Sequence, residues 1–348
     1  MFELIKTLCE LPGPGGDEAP IQDYLQELWH ARVESVTLTK VGNLIAHVGG
    51  HGPRMLIAAH ADEIAFVVKH ISEDGFLWIT SGQREIEQRQ SMRGGVFLPL
   101  GHPALVLSGS GQVVGIFATL TGHVLSAEQR TKTRLDWQDV FVDIGASSHT
   151  EAMARGVQVG DRVIWNPPTR RMGDFAYGKA MDDRVLLAIM DRLLDVLDRD
   201  RLAYDVTFAS TIQEETGLIG AESVPGDVDC DMAIALDVGL VGDVPGVDQR
   251  DASARLGGGP MIVHKDFISY HRPLIRALTQ AAQAAHIPVQ HAVFTMYGSD
   301  AGALIRRGVP AALVAVPTRY THSPFEMVHL RDVEQTVQLM KSFLEASS

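Results

Sequence analysis

Two adjacent glutamates, Glu214 and Glu215, stand in the stretch DVTFASTIQEETGLIGAES (205–223), where strand-favouring residues give way to a small residue and then a helical pattern. Adjacent residues leaving a strand point to opposite sides. The pair can therefore do two jobs at one place, one carboxylate holding a metal and the other moving a proton. A solvated acidic turn is the ordinary reading of such a pair, and the rest of the chain decides. Ionisable residues recur where other inferred strands end: His60 and Asp62 after 54–59, Asp237 after 232–236, and His322 after 311–316. Asp182 and Asp183 add a pair where a long helix begins. Singly, each has a plain explanation as a hydrogen-bonded core histidine, an N-cap or a turn former. Recurrence at one edge of one sheet favours a site, because open α/β sheets gather ligands at the carboxyl ends of their strands.

Two histidines among several carboxylates suit zinc, cobalt or manganese. The carboxylates exceed what one ion needs, which points to two ions sharing a bridging carboxylate. Two such ions roughly 3.5–4 Å apart polarise a carbonyl and acidify a water between them. A carboxylate that is not a ligand can then take the water's proton. Residues two apart on a strand face the same way, so Asp62 is placed to accept the other ring N–H of His60 and fix its tautomer.

The elements that must position these groups follow from apolar spacing. Residues 2–11 and 19–29 read as helices, with Asp17 placed to cap the second, and 33–48 as a hairpin turning at Gly42–Asn43. From about residue 66 to 165 the runs are short, alternating and broken by Gly, Ser and Pro, which predicts a small β-rich insertion. After Pro167–Pro168, helices at 179–198, 273–286, 300–307 and 334–344 alternate with strands at 205–212, 232–236, 289–294 and 311–316. That rhythm predicts an α/β fold, a mostly parallel sheet with helices on both faces.

The bounds are those of an ordinary globular chain: 348 residues, 45% hydrophobic and 21% charged. A net charge of -13 argues against nucleic acid or an anionic membrane as partner. The start lacks a secretory pattern, and no stretch is long and apolar enough to span a bilayer. Cys9 and Cys230 make no disulfide framework, so a cytoplasmic protein is expected. His123, His149, His264, His271, His286, His291 and His329 read as surface or hydrogen-bonded core residues, and Arg319 as the partner of a surface acid.

Six segments carry a resemblance: AAHADEIAFVV (58–68), YGKAMDDRV (177–185), IQEETGLIGAES (212–223), ALDVG (235–239), GSDAGALIRRGVP (298–310) and PTRYTHSPFEMV (317–328). In this order they resemble the M42 metallo-aminopeptidases, the family of glutamyl and tetrahedral (TET) aminopeptidases, some of whose members were labelled endoglucanases. The resemblance implies two divalent ions per subunit, zinc, cobalt or manganese. His60 would bind the first ion with Asp62 orienting it, and Asp182 would bridge both, with Asp183 shaping the turn. Asp237 would complete the first site, Glu215 and His322 the second, and Glu214 would be the general base. Substrates would be peptides with a free amino terminus. The implied organisation is a zinc-peptidase-like catalytic domain, 1–67 plus 166–348, interrupted by a PDZ-like dimerisation domain at 68–165. A homo-oligomer is implied, a dimer or, built from dimers, a dodecamer.

The chain departs from the family at Ala65 and Leu186, where glycine is common, and over 83–101, whose SGQREIEQRQSMRGG character is unusually polar. Those departures bear on pocket shape and assembly more than on chemistry. A deacylase or carboxypeptidase of the same broad clan shares the ligand pattern and stands as the alternative enzyme. A non-enzymatic scaffold or sensor is the alternative of a different class. A glycosidase would need two carboxylates flanking the scissile bond without metal, which the histidines argue against.

Overall fold

The computed structural model describes residues 1–81, 100–131, 137–295 and 297–345. The polar 83–101 stretch lies outside them except for Leu100 and Gly101. Two compact units emerge: Met1–Glu63 with Thr169–Thr321 and Glu326–Ser348, and Ile64–Pro168 with His322–Phe325.

The first unit opens with α1 (Phe2–Glu10), whose Ile5, Leu8 and Cys9 recur at helical spacing and are buried. It stops at Leu11, ahead of Pro12. Helix α2 (Ala19–Trp29) begins with proline in its first turn. Its N-cap is Glu18 rather than the expected Asp17, and the Glu18 side chain caps nothing in its own helix.

Eleven strands form the sheet of this unit: β1 (Ser35–Leu38), β2 (Leu44–Gly50), β3 (Arg54–His60), β10 (Arg170–Met172), β11 (Phe175–Gly178), β12 (Asp205–Thr211), β13 (Met232–Leu240), β14 (Met261–Lys265), β15 (Gln290–Val293), β16 (Ala311–Arg319) and β17 (Glu326–His329). The main path runs β1-β2-β12-β3-β13-β16-β17-β11-β10, with β14 and β15 joined beside β16. Its middle four strands, β12, β3, β13 and β16, are parallel. The flanks are antiparallel, through β1–β2 and β2–β12 on one side and β16–β17, β17–β11 and β11–β10 on the other. The sheet is therefore mixed, which corrects the mostly parallel expectation. For the two outermost pairs the physical reason is connection length. Strands joined by tight turns with no intervening helix pair antiparallel, as the β1–β2 and β10–β11 hairpins do.

The central strands are apolar along their length because both faces are covered. β16 is buried from Ala311 to Thr318 and β13 from Ala233 to Gly239. Helix α5 (Met181–Val196) and helix α8 (Asp300–Arg306) both lie on β3 and β13 without packing on each other, as elements on opposite faces must. Helix α9 (Leu330–Leu344) joins α5 on one side, together with α1 and α7 (Arg272–Ala284); α6 (Ile219–Asp227) joins α8 on the other.

In the second unit β4 (Phe66–Ile71), β5 (Leu77–Ser81), β8 (Phe141–Asp143), β7 (Gly111–Ala118), β6 (Pro103–Ser108) and β9 (Arg162–Trp165) close into a barrel in that order. Phe66 fills its centre, with ring centroids 5.1 Å from Phe117, 5.3 Å from Trp165 and 5.8 Å from Trp137. Helices α3 (Ala127–Thr131) and α4 (His149–Ala154) belong to this unit. The β-rich interruption is thus a closed six-stranded barrel; PDZ-like character stays an expectation of the resemblance. No helix among the described residues is long and apolar enough to cross a membrane.

Candidate active site

The site starts from the register of three strands. Thr211 of β12 pairs with His60 of β3, and Ala58 of β3 pairs with Ala235 of β13. Continued two residues past the last pair, that register brings Asp237 level with His60, and donor atoms of the two do lie within 4.8 Å of each other. The last six residues of β3 are buried, so the histidine that ends it is 2% exposed.

Asp182 and Asp183 come to this edge from the start of α5. Their backbone angles are not helical, the bond between them is cis, and both side chains are buried. Asp182 Oδ1 lies 3.0 Å from His60 Nε2, and Asp183 Oδ2 accepts the His60 backbone N–H at 3.0 Å. The Asp182 N–H is itself donated to the buried carboxylate of Glu326 at 3.0 Å. Asp237 Oδ1 accepts the N–H of Val238 at 2.7 Å, and the Val238 carbonyl accepts the Tyr297 hydroxyl at 2.6 Å. Donor atoms of His60, Asp182, Asp183 and Asp237 all lie within 4.8 Å of one another, and those of Asp182 and Glu215 are equally close.

This donor set fits divalent cations. Three aspartates and one imidazole are buried together, and Asp183 Oδ1 is buried without a hydrogen-bond partner among the described residues. Burying carboxylates without a compensating cation forces protonation. Among the protein groups alone, burial does push Asp183 and Asp237 well above the ordinary carboxylate range, and neighbouring carboxylates add to it. Burial alone would lower His60, but Asp183, Asp182 and Asp62 overcome it and hold the imidazole well above its ordinary value.

Glu214 is likewise pushed well up, first by burial, with His60 opposing and Asp237 and Glu215 reinforcing. Asp62, fully buried, accepts the backbone N–H of Glu214 at 2.9 Å and of Glu215 at 3.1 Å. Its approach to His60 Nδ1 is longer, 3.4 Å. His322, with φ 60°, lies three residues beyond β16 on the segment that groups with the barrel.

Several buried polar groups were not singled out from sequence. Glu63 receives both Lys179 hydrogen bonds, at 2.7 and 2.9 Å, together with the Gly13 N–H at 3.1 Å. Arg184, also fully buried, donates to the carbonyls of Leu8, Leu11 and Gly13. Burial lowers the Lys179 ammonium, with Glu63 opposing. Asp300 accepts the Thr211 hydroxyl at 2.6 Å, and burial raises its carboxyl to about 6. Glu18 and Asn43 face the glutamate loop. Each reads in sequence as a local residue, a helix start and a turn, and no local signal reveals a partner so distant in the chain.

The chain matches the M42 glutamyl aminopeptidase family over residues 42–339. It is 30% identical to the lysyl aminopeptidase of Pyrococcus furiosus over 353 residues, covering 99% of this chain and 96% of that one. Among solved structures, the TET aminopeptidase of a marine sediment Thaumarchaeota archaeon superposes with a TM-score of 0.90 at 31% identity, covering 99% of this chain and 95% of that one. The TET1 peptidase of Pyrococcus horikoshii, which can assemble into a tetrahedron or a large octahedral shell, gives 0.86 at 26% identity and 99% coverage of both chains. The protein is a peptide hydrolase that belongs to the M42 aminopeptidase family.

Proposed function

We propose that the protein removes the amino-terminal residue from peptides, using two divalent ions and Glu214 as general base. The observation that carries this reading is the convergence of His60, Asp182, Asp183 and Asp237 beside a half-buried Glu214 whose backbone is held separately by Asp62. His60 and Asp237 would hold one ion, Glu215 the other, and Asp182 would bridge; the resemblance adds His322 to the second. When bound, the ions supply Lewis acidity toward the scissile carbonyl and make a nearby water acidic.

The chain's own residues do the rest. Glu214 takes the proton from the attacking water on its carboxylate and returns it to the leaving amine. Its raised carboxyl suits that exchange, since a carboxyl must sit above about 4.3 to release and recover a proton near neutrality. Asp62 aims the glutamate pair through its two backbone N–H groups, and the packed sheet behind excludes water.

Assembly as a homo-oligomer through the barrel unit is part of the same proposal. The relatives that form large shells motivate it, and so does the barrel's β7, which exposes Val114 (68%) and Ile116 (46%).

The test is Glu214→Gln. It should retain two ions per subunit, read by elemental mass spectrometry, and lose nearly all turnover of amino-acid anilides, whereas Glu215→Gln should lose one ion. Wild-type turnover in Glu214→Gln would remove Glu214 as the base. Preference for N-acetyl amino acids over anilides would favour the deacylase alternative.

A further inference from the structure

Beyond Thr211 the chain leaves β12, and its N–H groups need new acceptors in a half-buried place. Four successive N–H groups find them on side chains. Ile212 donates to Asn43 Oδ1 at 3.1 Å, Gln213 to Glu18 Oε1 at 3.0 Å, Glu214 to Asp62 Oδ1 at 2.9 Å and Glu215 to Asp62 Oδ2 at 3.1 Å. The acceptors come from the turn before β2, the start of α2 and the end of β3. Three of the four bonds end on carboxylates, which bind N–H groups about twice as strongly as neutral acceptors.

Gln213 is the unusual member. Its φ is 51°, in the left-handed region that a residue with a side chain keeps only when its surroundings impose it. The N–H of this residue is taken by Glu18, 195 residues away in sequence. Glu18 occupies an N-cap position, where an acidic side chain ordinarily turns back onto its own helix. Here it makes no such bond; the same Oε1 accepts the Gly16 N–H at 2.9 Å, and Glu18 is 5% exposed. The 12–18 loop also lies against the glutamate loop directly, since a side chain at Gly15 would stand 3.2 Å from Thr216 and 3.5 Å from Asp62.

We propose that Glu18 is a positioning residue for the reaction: by fixing the left-handed turn at Gln213 it aims the next side chain, Glu214. The inference rests on the reading of Glu214 as the base. Glu18 is not one of the grouped metal donors, and Glu215, two residues beyond Gln213, keeps its own bond to Asp62, so the effect of Glu18 is expected on the chemical step rather than on ion binding. A misplacement of about 1 Å in a reacting group can cost on the order of 100-fold in rate.

The experiment compares Glu18→Ala and Glu18→Gln with wild type, as whole proteins loaded with metal. The amide of Glu18→Gln keeps an oxygen that can accept both N–H groups; Glu18→Ala keeps none. Glu18→Ala should lower kcat roughly 10- to 100-fold with KM and bound metal unchanged, while Glu18→Gln stays within about three-fold of wild type. Hydrogen exchange of the Gln213 amide should accelerate in Glu18→Ala and stay slow in Glu18→Gln.

A kcat for Glu18→Ala within about two-fold of wild type, or a loss shared between KM and bound metal, would overturn the proposal. Should Glu18→Ala fail to fold, Glu18→Gln decides: kcat near wild type with a protected Gln213 supports the role, and kcat as low as Glu214→Gln despite that protection overturns it. Failure of the base reading is separate, since it appears as turnover surviving Glu214→Gln whatever happens at Glu18.

Discussion

The carboxylate of Asp62 takes the backbone N–H of Glu214 at 2.9 Å, whereas its 3.4 Å approach to His60 Nδ1 falls short of a hydrogen bond. Two residues past the histidine, it joins the end of β3 to the loop after β12, and its second oxygen takes the next N–H, that of Glu215. An asparagine there keeps one acceptor oxygen and turns an amide toward the other donor. Asp62→Asn should weaken metal binding about 10- to 100-fold through the loosened His60, and should lower kcat even when metal is saturating. Titrating metal into chelated protein while following turnover separates the two effects. Full kcat at saturating metal would show that the hold on Glu214 is dispensable.

The Lys179–Glu63 pair sits where water cannot rescue a lost partner, both side chains being 2% exposed or less. Removing one member of such a pair typically costs about 3–5 kcal/mol. Glu63→Gln should destabilise the protein on that scale in urea unfolding, and Lys179→Met should do likewise. The double variant should cost less than the two single losses added together. Simple additivity would mean that Arg184, 3.8 Å from Glu63, already satisfies the carboxylate.

Cys9 reports on the turn that carries the two aspartates. Its thiol lies 3.5 Å from the Ala180 carbonyl and 3.8 Å from Met181 Sδ, and burial pushes it up to about 12. A buried, protonated thiol is inert. Stripping bound metal with a chelator would remove the charge that compensates the buried carboxyls beside this turn and loosen their packing, so labelling of Cys9 by a thiol reagent should accelerate while that of half-buried Cys230 does not. Equal rates with and without chelator would mean that the turn holds its shape without ions.

In the barrel, Glu151 gathers the Ser147 hydroxyl at 2.6 Å, the Ser147 N–H at 2.8 Å and Arg155 at 2.6 Å. The Ser147 hydrogen bonds, with Arg155 behind them, lower its carboxyl to about 2. A carboxyl lowered on folding stabilises fully above its ordinary value near 4.5, and the contribution disappears as pH falls toward about 2. Glu151→Gln should therefore unfold more easily than wild type at pH 7, with a difference that shrinks below pH ~4.5. A pH-independent difference in urea midpoint would show that shape, not charge, matters there.

What the sequence made legible was local or patterned. His60, Asp237 and the glutamate pair could be found because each closes an apolar run, and strand ends gather at one edge. Asp182 and Asp183 stood out only as a pair opening a helix, where aspartates look like caps, and their separate roles came from the family segments. The mixed sheet escaped because alternating strands and helices predict parallel pairing, whereas β10, β11 and β17 are too short to announce themselves. Glu18, Asn43 and the Glu63–Lys179–Arg184 group were invisible for a different reason. Their partners lie far along the chain, and nothing within a helix turn or a hairpin encodes a contact that only the finished fold makes.

The level row of His60, Thr211 and Asp237 has a consequence for how such an enzyme can diversify. Neighbouring strands stand about 4.7–4.9 Å apart because their main chains are hydrogen-bonded. The separation of the residues they deliver is thus inherited from the backbone, whatever side chains surround them. Loops that follow those strands are free to lengthen, shorten or change composition without disturbing that separation. A change in those loops can then alter what reaches this edge of the sheet while the spacing of the residues at the strand ends stays constant.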